Sequence, residues 1–289
     1  MKLTCFYVKG ETHVGVVLPN GGIIDATAAG VVGDIRTIIS MWEIYRPQLV
    51  RLWRDESLPV LDDAAITYAP VGGALAKLIC IGLNYTSHIE ETKAQFEENR
   101  PEYPVVFSKF PDSLAGHGQE IWLPTHLERT FDYEAELVVV IGKAGSEIPE
   151  ELALDHVFGY TCGNDLTIRA AQSRSGQWLI GKSYPGFAPV GPYLVTADTL
   201  DAQNLDIKCL RNGEVVQHNN TRNMIFKIPE IISYVSRYIP LRAGDLIFTG
   251  TPSGVILGAP KEARNWLVPG ETVTVAIEGI GELTNTLIG

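Results

Sequence analysis

Apolar residues along this chain recur mostly at period two or in short unbroken runs, and seldom at the helical period. Runs over residues 3–8 and 14–18, followed by Pro19-Asn20-Gly21-Gly22 and Ile23-Ile24-Asp25, predict an N-terminal hairpin, because Asn-Gly supplies the positive φ of a tight turn. Gly33-Asp34 then offers a cap for a helical segment over residues 35–53. Ile35, Ile38, Ile39, Trp42, Leu49, Leu52 and Trp53 form its apolar stripe, and Pro47 kinks or divides it. From residue 71 glycine and proline become frequent and the runs shorten. Strands are predicted over 78–81, 105–109, 136–141, 157–162, 192–196, 206–211, 245–249 and 272–277, with helices only over 86–98, 149–154 and 228–238. Many short strands with few helices between them indicate a sandwich, barrel or roll rather than a doubly wound sheet. The expected fold class is α+β, mostly β, with a small α+β domain over 1–70 and a larger domain over 71–289.

One stretch organises the rest: Phe131-Asp132-Tyr133-Glu134-Ala135-Glu136-Leu137-Val138-Val139-Val140-Ile141-Gly142-Lys143. Read as a strand, it places Asp132, Glu134 and Glu136 on one face with Val138 and Val140. Three carboxylates at period two, leading into a segment apolar on both faces, repel one another unless a cation sits among them. A hard divalent ion such as Mg²⁺ or Mn²⁺ answers that need, and so do paired Lys or Arg side chains at a solvated strand end.

Composition narrows the partners. The 289 residues carry a formal net charge of −11 with no basic cluster, which argues against nucleic acid. Cys5, Cys80, Cys162 and Cys209 are widely spaced, with no C-x-x-C pair, and read as reduced core residues. The first residues enter a strand pattern without a secretory signal, and no run is long enough to span a membrane, so the expectation is a cytoplasmic protein.

Other candidate chemistry lies downstream of residue 80. Ser87 and Glu90 fit a capping box at a helix start. His88 and Glu91, three apart, share a helix face; a carboxylate beside an imidazole orients it as a base, although exposed pairs of this spacing are common. Asp165 closes Gly163-Asn164-Asp165 at a strand end, where it could complete a metal site or simply make a turn. Arg169 and Gln172 follow at helical spacing, suited to a substrate carboxylate or to an ordinary surface. Gly176-Gln177-Trp178-Leu179-Ile180-Gly181-Lys182-Ser183 matches the phosphate-loop pattern, but Tyr184-Pro185-Gly186 follows where a helix is required, so the nucleotide reading fails. Lys182 remains, a point charge for an anion in an apolar, glycine-flanked setting. Thr249-Gly250-Thr251-Pro252-Ser253-Gly254 offers small residues and donors at a strand end, or a plain turn.

In order, Gly82-Leu83-Asn84-Tyr85 with His88 and Glu91, Asp132-Tyr133-Glu134-Ala135-Glu136-Leu137, Gly159-Tyr160-Thr161 with Asn164-Asp165, Gly176-Gln177-Trp178 with Gly181-Lys182-Ser183, and Thr249-Gly250-Thr251-Pro252-Ser253-Gly254-Val255 resemble the fumarylacetoacetate hydrolase family. The resemblance implies that family's mixed β-sandwich roll behind a small N-terminal domain, in a homodimer. It implies Glu134, Glu136 and Asp165 as ligands of Mg²⁺ or Mn²⁺, His88 with Glu91 as a water-activating dyad, Lys182 beside the substrate oxygens, and Arg169, Gln172 and Thr251 along the pocket. The implied reaction is metal-dependent carbon–carbon hydrolysis of an acylpyruvate-type 2,4-dioxo acid, of the kind met in the catabolism of aromatic compounds. Decarboxylation of oxaloacetate and isomerisation of a dienoate are the alternatives within the family; a non-catalytic metal-binding protein is the alternative outside it. Tyr184-Pro185, where many members have Phe-Asp, and the residues from Lys93 to Pro104 depart from the family pattern near the expected pocket.

Overall fold

Two large β-sheets, a two-stranded ribbon and a helical layer build the fold. The structure, a computed structural model, describes residues 1–73, 76–96 and 100–289. The last two positions of the helix predicted over 86–98 therefore lie outside the described residues; the helix itself is Thr86–Phe96. The larger sheet has eleven strands. Its main path runs Ile23–Asp25, Glu11–Val17, Lys2–Val8, Ala188–Thr196, Val157–Asn164, Ala135–Ile141, Leu246–Phe248, Leu78–Gly82, Val105–Lys109, with Thr67–Tyr68 and Leu114–Ala115 attached beside it. The smaller sheet orders Glu214–Asn220, Asp206–Arg211, Thr272–Ile277, Gly281–Ile288 and Ile121–Trp122.

Side-chain alternation explains the layering. Every residue of Ala135–Ile141 is buried. Leu137, Val139 and Ile141 share a core with Ile207, Val275 and Leu283 of the smaller sheet, while Val138 and Val140 share one with Ile35, Ile38 and Leu49 of the N-terminal helices. A strand covered on both sides is what an unbroken β-branched run calls for. The outcome is the mixed β roll that the resemblance implied.

Several local expectations are corrected. The segment over 35–53 divides at Met41, which leaves helical geometry at φ −117° and ψ 34°, into Ile35–Ser40 and Trp42–Arg54. Pro47 sits inside the second helix without ending it, since near a helix start it forfeits only one backbone bond. Asp34 does cap the first helix, accepting from the Thr37 N–H at 2.8 Å, but Trp53 is 41% exposed and leaves the stripe. Ser87 is not a cap: the helix begins one residue earlier, at Thr86. The longest strands to escape prediction are Glu214–Asn220 and Gly281–Ile288, whose polar positions hide the alternation.

Candidate active site

A break in the acidic strand creates the site. Phe131–Asp132 pairs with Thr167–Ile168, Ala135–Ile141 pairs with Val157–Asn164, and Tyr133 and Glu134 belong to neither. The Asp165 N–H donates to the Glu134 carbonyl at 2.9 Å, and the Glu134 N–H donates to the Asn164 side-chain oxygen at 3.0 Å. Antiparallel register sets Glu136 opposite Gly163. A Cβ on Gly163 would lie 2.4 Å from Val138 and 2.8 Å from Phe248, so only glycine fits between those two side chains. Through this pairing Glu134, Glu136 and Asp165 present oxygens within 4.8 Å of one another, all buried.

Asp132 leaves the acidic face predicted for it. Its carboxylate accepts the backbone N–H groups of Tyr133, Ile256 and Leu257 at 2.9, 2.9 and 3.0 Å and the Arg169 Nε–H at 2.8 Å, which binds the loop after Gly254 to the site. Arg169 is correspondingly more than a pocket residue. Its Nη2 also lies 2.7 Å from Glu134, and its Nη1–H donates to Gln172 at 3.1 Å. Lys182 donates to Glu134 at 2.6 Å and to Asp165 at 2.8 Å. Sequence reasoning missed Lys109, which is 2% exposed, pairs with Asp165 and donates to the Leu166 carbonyl at 3.0 Å. The signal was a lysine closing an apolar strand, but its partner lies 56 residues away.

Four buried carboxylates thus meet three buried cations. Glu134 is penalised by burial, yet Lys182, Arg169 and His88 outweigh that and hold its pKa below the usual carboxylate range. Glu136 is the reverse. Burial, reinforced by Asp165 and Glu134, pushes its pKa well up; Lys182 and the Gly250 N–H, donating at 2.7 Å, oppose this only in part. Among the described residues Glu136 has no ion-pair partner. A buried carboxylate facing two others without a cation of its own is a place where Mg²⁺ or Mn²⁺ fits, by charge and by oxygen donors alike. Burial lowers the Lys109 pKa more than Asp165 restores it, whereas at Lys182 the two carboxylates outweigh burial and raise it.

On the helix Thr86–Phe96, His88 Nδ1 lies 2.9 Å from Glu91 Oε1. A carboxylate can only accept, so Nδ1 carries the proton and Nε2 is left as the basic nitrogen. Glu91 is held in turn by the Gly254 N–H at 2.8 Å. The strand-end turn thus supplies two amides to the site, one on Glu136 and one on Glu91. His88, Thr92, Glu134, Glu136, Arg169, Gln172, Lys182 and Thr251 all line one cavity of about 30 Å³, completed by the apolar side chains of Ile81, Leu83, Phe107, Trp178 and Leu257. Every predicted site residue except Asp165 and Glu91 is on that wall; Asp165 stands behind it in contact with Lys182, and Glu91 behind His88.

Carboxylates that open onto a cavity, rather than closing around an ion, mark a divalent-metal enzyme in which positions stay free for a small molecule. The family model described as Fumarylacetoacetate (FAA) hydrolase C-terminal matches residues 77–288, and the chain belongs to that family. Oxaloacetate tautomerase YisK of Bacillus subtilis (strain 168) is 42% identical over 223 residues, 76% of this chain and 72% of the relative. Among solved structures, a fumarylacetoacetate hydrolase from psychrophilic Exiguobacterium antarcticum superposes with a TM-score of 0.85 at 33% identity, covering 100% of this chain and 99% of that one. Maleylpyruvate hydrolase from Sphingobium sp. SYK-6, in complex with manganese(II) ion and pyruvate, superposes with a TM-score of 0.82 at 28% identity, covering 100% and 99%.

Proposed function

We propose that the protein interconverts the keto and enol forms of a small 2-oxo acid of the oxaloacetate class. The observation that carries this reading is the shared wall on which Glu134 and Glu136 line one cavity with the His88 imidazole, the arrangement needed to move a proton beside a keto oxygen held by a divalent ion. The name of the Bacillus subtilis relative supports the same substrate.

Glu134, Glu136 and Asp165 would hold Mg²⁺ or Mn²⁺, which supplies a Lewis acid for the carboxylate and keto oxygens of the 2-oxo acid. His88 would take the proton from C3 of the keto form and deliver it to the oxygen of the resulting enolate, the two transfers running in reverse from the enol, with Glu91 fixing the tautomer that leaves Nε2 basic. Lys182 adds positive charge where negative charge develops on the keto oxygen. The Gln172 amide and the Thr251 hydroxyl, which already accepts from Gln217 at 2.9 Å and keeps its own O–H free, suit the distal carboxylate.

The test is the decay of the enol absorbance after enol-oxaloacetate is added to metal-loaded protein. Acceleration of at least about tenfold over the metal-containing buffer, abolished by chelation, is the expected result. Folded, metal-loaded protein without acceleration overturns the reading. Hydrolysis of a 2,4-dioxo acid is the second reading, favoured by the oriented His88–Glu91 pair and by the maleylpyruvate hydrolase neighbour. Proton NMR of acetylpyruvate separates the two, since only hydrolysis yields acetate and pyruvate.

A further inference from the structure

We infer that Trp178, seated on Gly82, is a gate that limits the carbon chain a 2-oxo acid can carry into this site, an inference that rests on the proposed 2-oxo acid chemistry. Trp178 and Phe107 are the cavity-lining aromatics and both are half-buried, while Ile81, Glu134, Glu136 and Lys182 around the same cavity are buried. Its indole therefore lies on the part of the cavity wall that reaches solvent, where a carbon chain longer than that of oxaloacetate would have to extend.

Two contacts keep the indole in place. Gly82 ends the Leu78–Gly82 strand, and a Cβ there would lie 2.4 and 2.8 Å from Cζ3 and Cη2 of Trp178, so the ring rests on bare backbone. Phe107 meets it edge-on, with ring centroids 5.1 Å apart. Phe107 in turn lies 5.2 Å from the Lys182 ammonium, so the indole cannot swing towards it without disturbing a charged group of the site. The adjoining rim is also fixed. Leu83 adopts φ +56°, a left-handed conformation that leucine disfavours. It persists because Asn84 is held on three sides: its amide donates to the carbonyls of Phe226 and Thr249 at 3.1 and 2.7 Å, and its oxygen accepts from the Phe226 N–H at 2.7 Å. A rim of this kind favours short chains by sterics and offers an apolar wall, with no charge, to whatever touches it.

The test compares binding of 2-oxobutyrate and 2-oxooctanoate to Mn²⁺-loaded protein by calorimetry. The wild type is expected to prefer the short acid by at least about tenfold, and Trp178→Ala to reduce that preference to about threefold or less, with Trp178→Phe between them. Gly82→Ala, which drives a methyl into the indole, should weaken both acids, and the double variant Gly82→Ala/Trp178→Ala should return to the behaviour of Trp178→Ala alone. A Trp178→Ala protein with native near-ultraviolet circular dichroism that keeps a tenfold preference overturns the gate, and so does a wild type that binds both acids equally. If the Mn²⁺-loaded wild type binds neither acid, the 2-oxo acid reading fails first and the gate falls with it.

Discussion

At the scale of single residues, the proposed function separates groups that would hold a metal from groups that would move protons. Among the described residues the His88 ring bonds to Glu91 and to no carboxylate of the triad, so His88→Ala should lower turnover by at least about a hundredfold while Mn²⁺ affinity changes by less than about threefold. Equal losses of both would remove His88 from the proton-transfer role. Glu136 carries a different expectation. Its raised pKa means that metal binding must expel a proton, so Mn²⁺ affinity should rise with pH, and Glu136→Gln should weaken binding by at least about tenfold and flatten that slope, as read by calorimetry across pH. The candidate residues were legible because Glu134, Glu136, Asp165, His88 and Glu91 each sit in a short local pattern. Lys109 and the true partners of Asp132 were not. Their importance arises from strand register and from a loop 124 residues downstream, which no local spacing encodes.

At the scale of elements, glycines distinguish packing from function. A Cβ on Gly159 would lie 2.2 Å from the Val195 carbonyl oxygen across the paired strands, where backbone cannot retreat, so Gly159→Ala should cost about 2 kcal/mol of stability in urea unfolding. On Gly258 the added atom would lie 2.6 Å from the Glu91 carboxylate, the end of a flexible side chain. Gly258→Ala should therefore cost less than about 1 kcal/mol yet lower turnover by at least about tenfold, because Glu91 is displaced from the imidazole it orients. If both variants lose stability and activity in step, the distinction is wrong. Elements with strong apolar rhythm were readable in advance, among them the Asn20-Gly21 hairpin and the doubly buried Ala135–Ile141 strand. Gly281–Ile288 was not, since only Leu283, Asn285 and Leu287 along its interior face are fully buried and one of these is polar. Nor was the division at Met41, where the proline drew the eye to the wrong residue.

At the scale of the whole molecule, the buried charge makes metal removal a test of class. Three cations already offset most of the carboxylate charge, so chelation should leave a folded, inactive protein whose melting temperature rises again on adding Mn²⁺. Outright unfolding on chelation would favour a structural ion instead. A second long-range joint is sensitive to acid. His117 Nδ1 accepts from the Thr284 N–H at 3.0 Å and its ring meets Tyr68 edge-on; burial lowers its pKa from 6.5, with Asp63 and Glu282 opposing. The unfolded chain thus takes up a proton that the folded one refuses. Stability should be complete above about pH 6.5 and decline below it, and His117→Gln should flatten that decline in thermal melts. Finally, Lys2–Val8 pairs with Ala188–Thr196, so the N-terminal strands Lys2–Val8, Glu11–Val17 and Ile23–Asp25 form one flank of a sheet whose path continues with strands from beyond residue 77. A protein cut after residue 70 would bare the ladder groups of Ala188–Thr196 to any other open strand, and would be expected to precipitate as edge-paired oligomers before its chemistry could be measured.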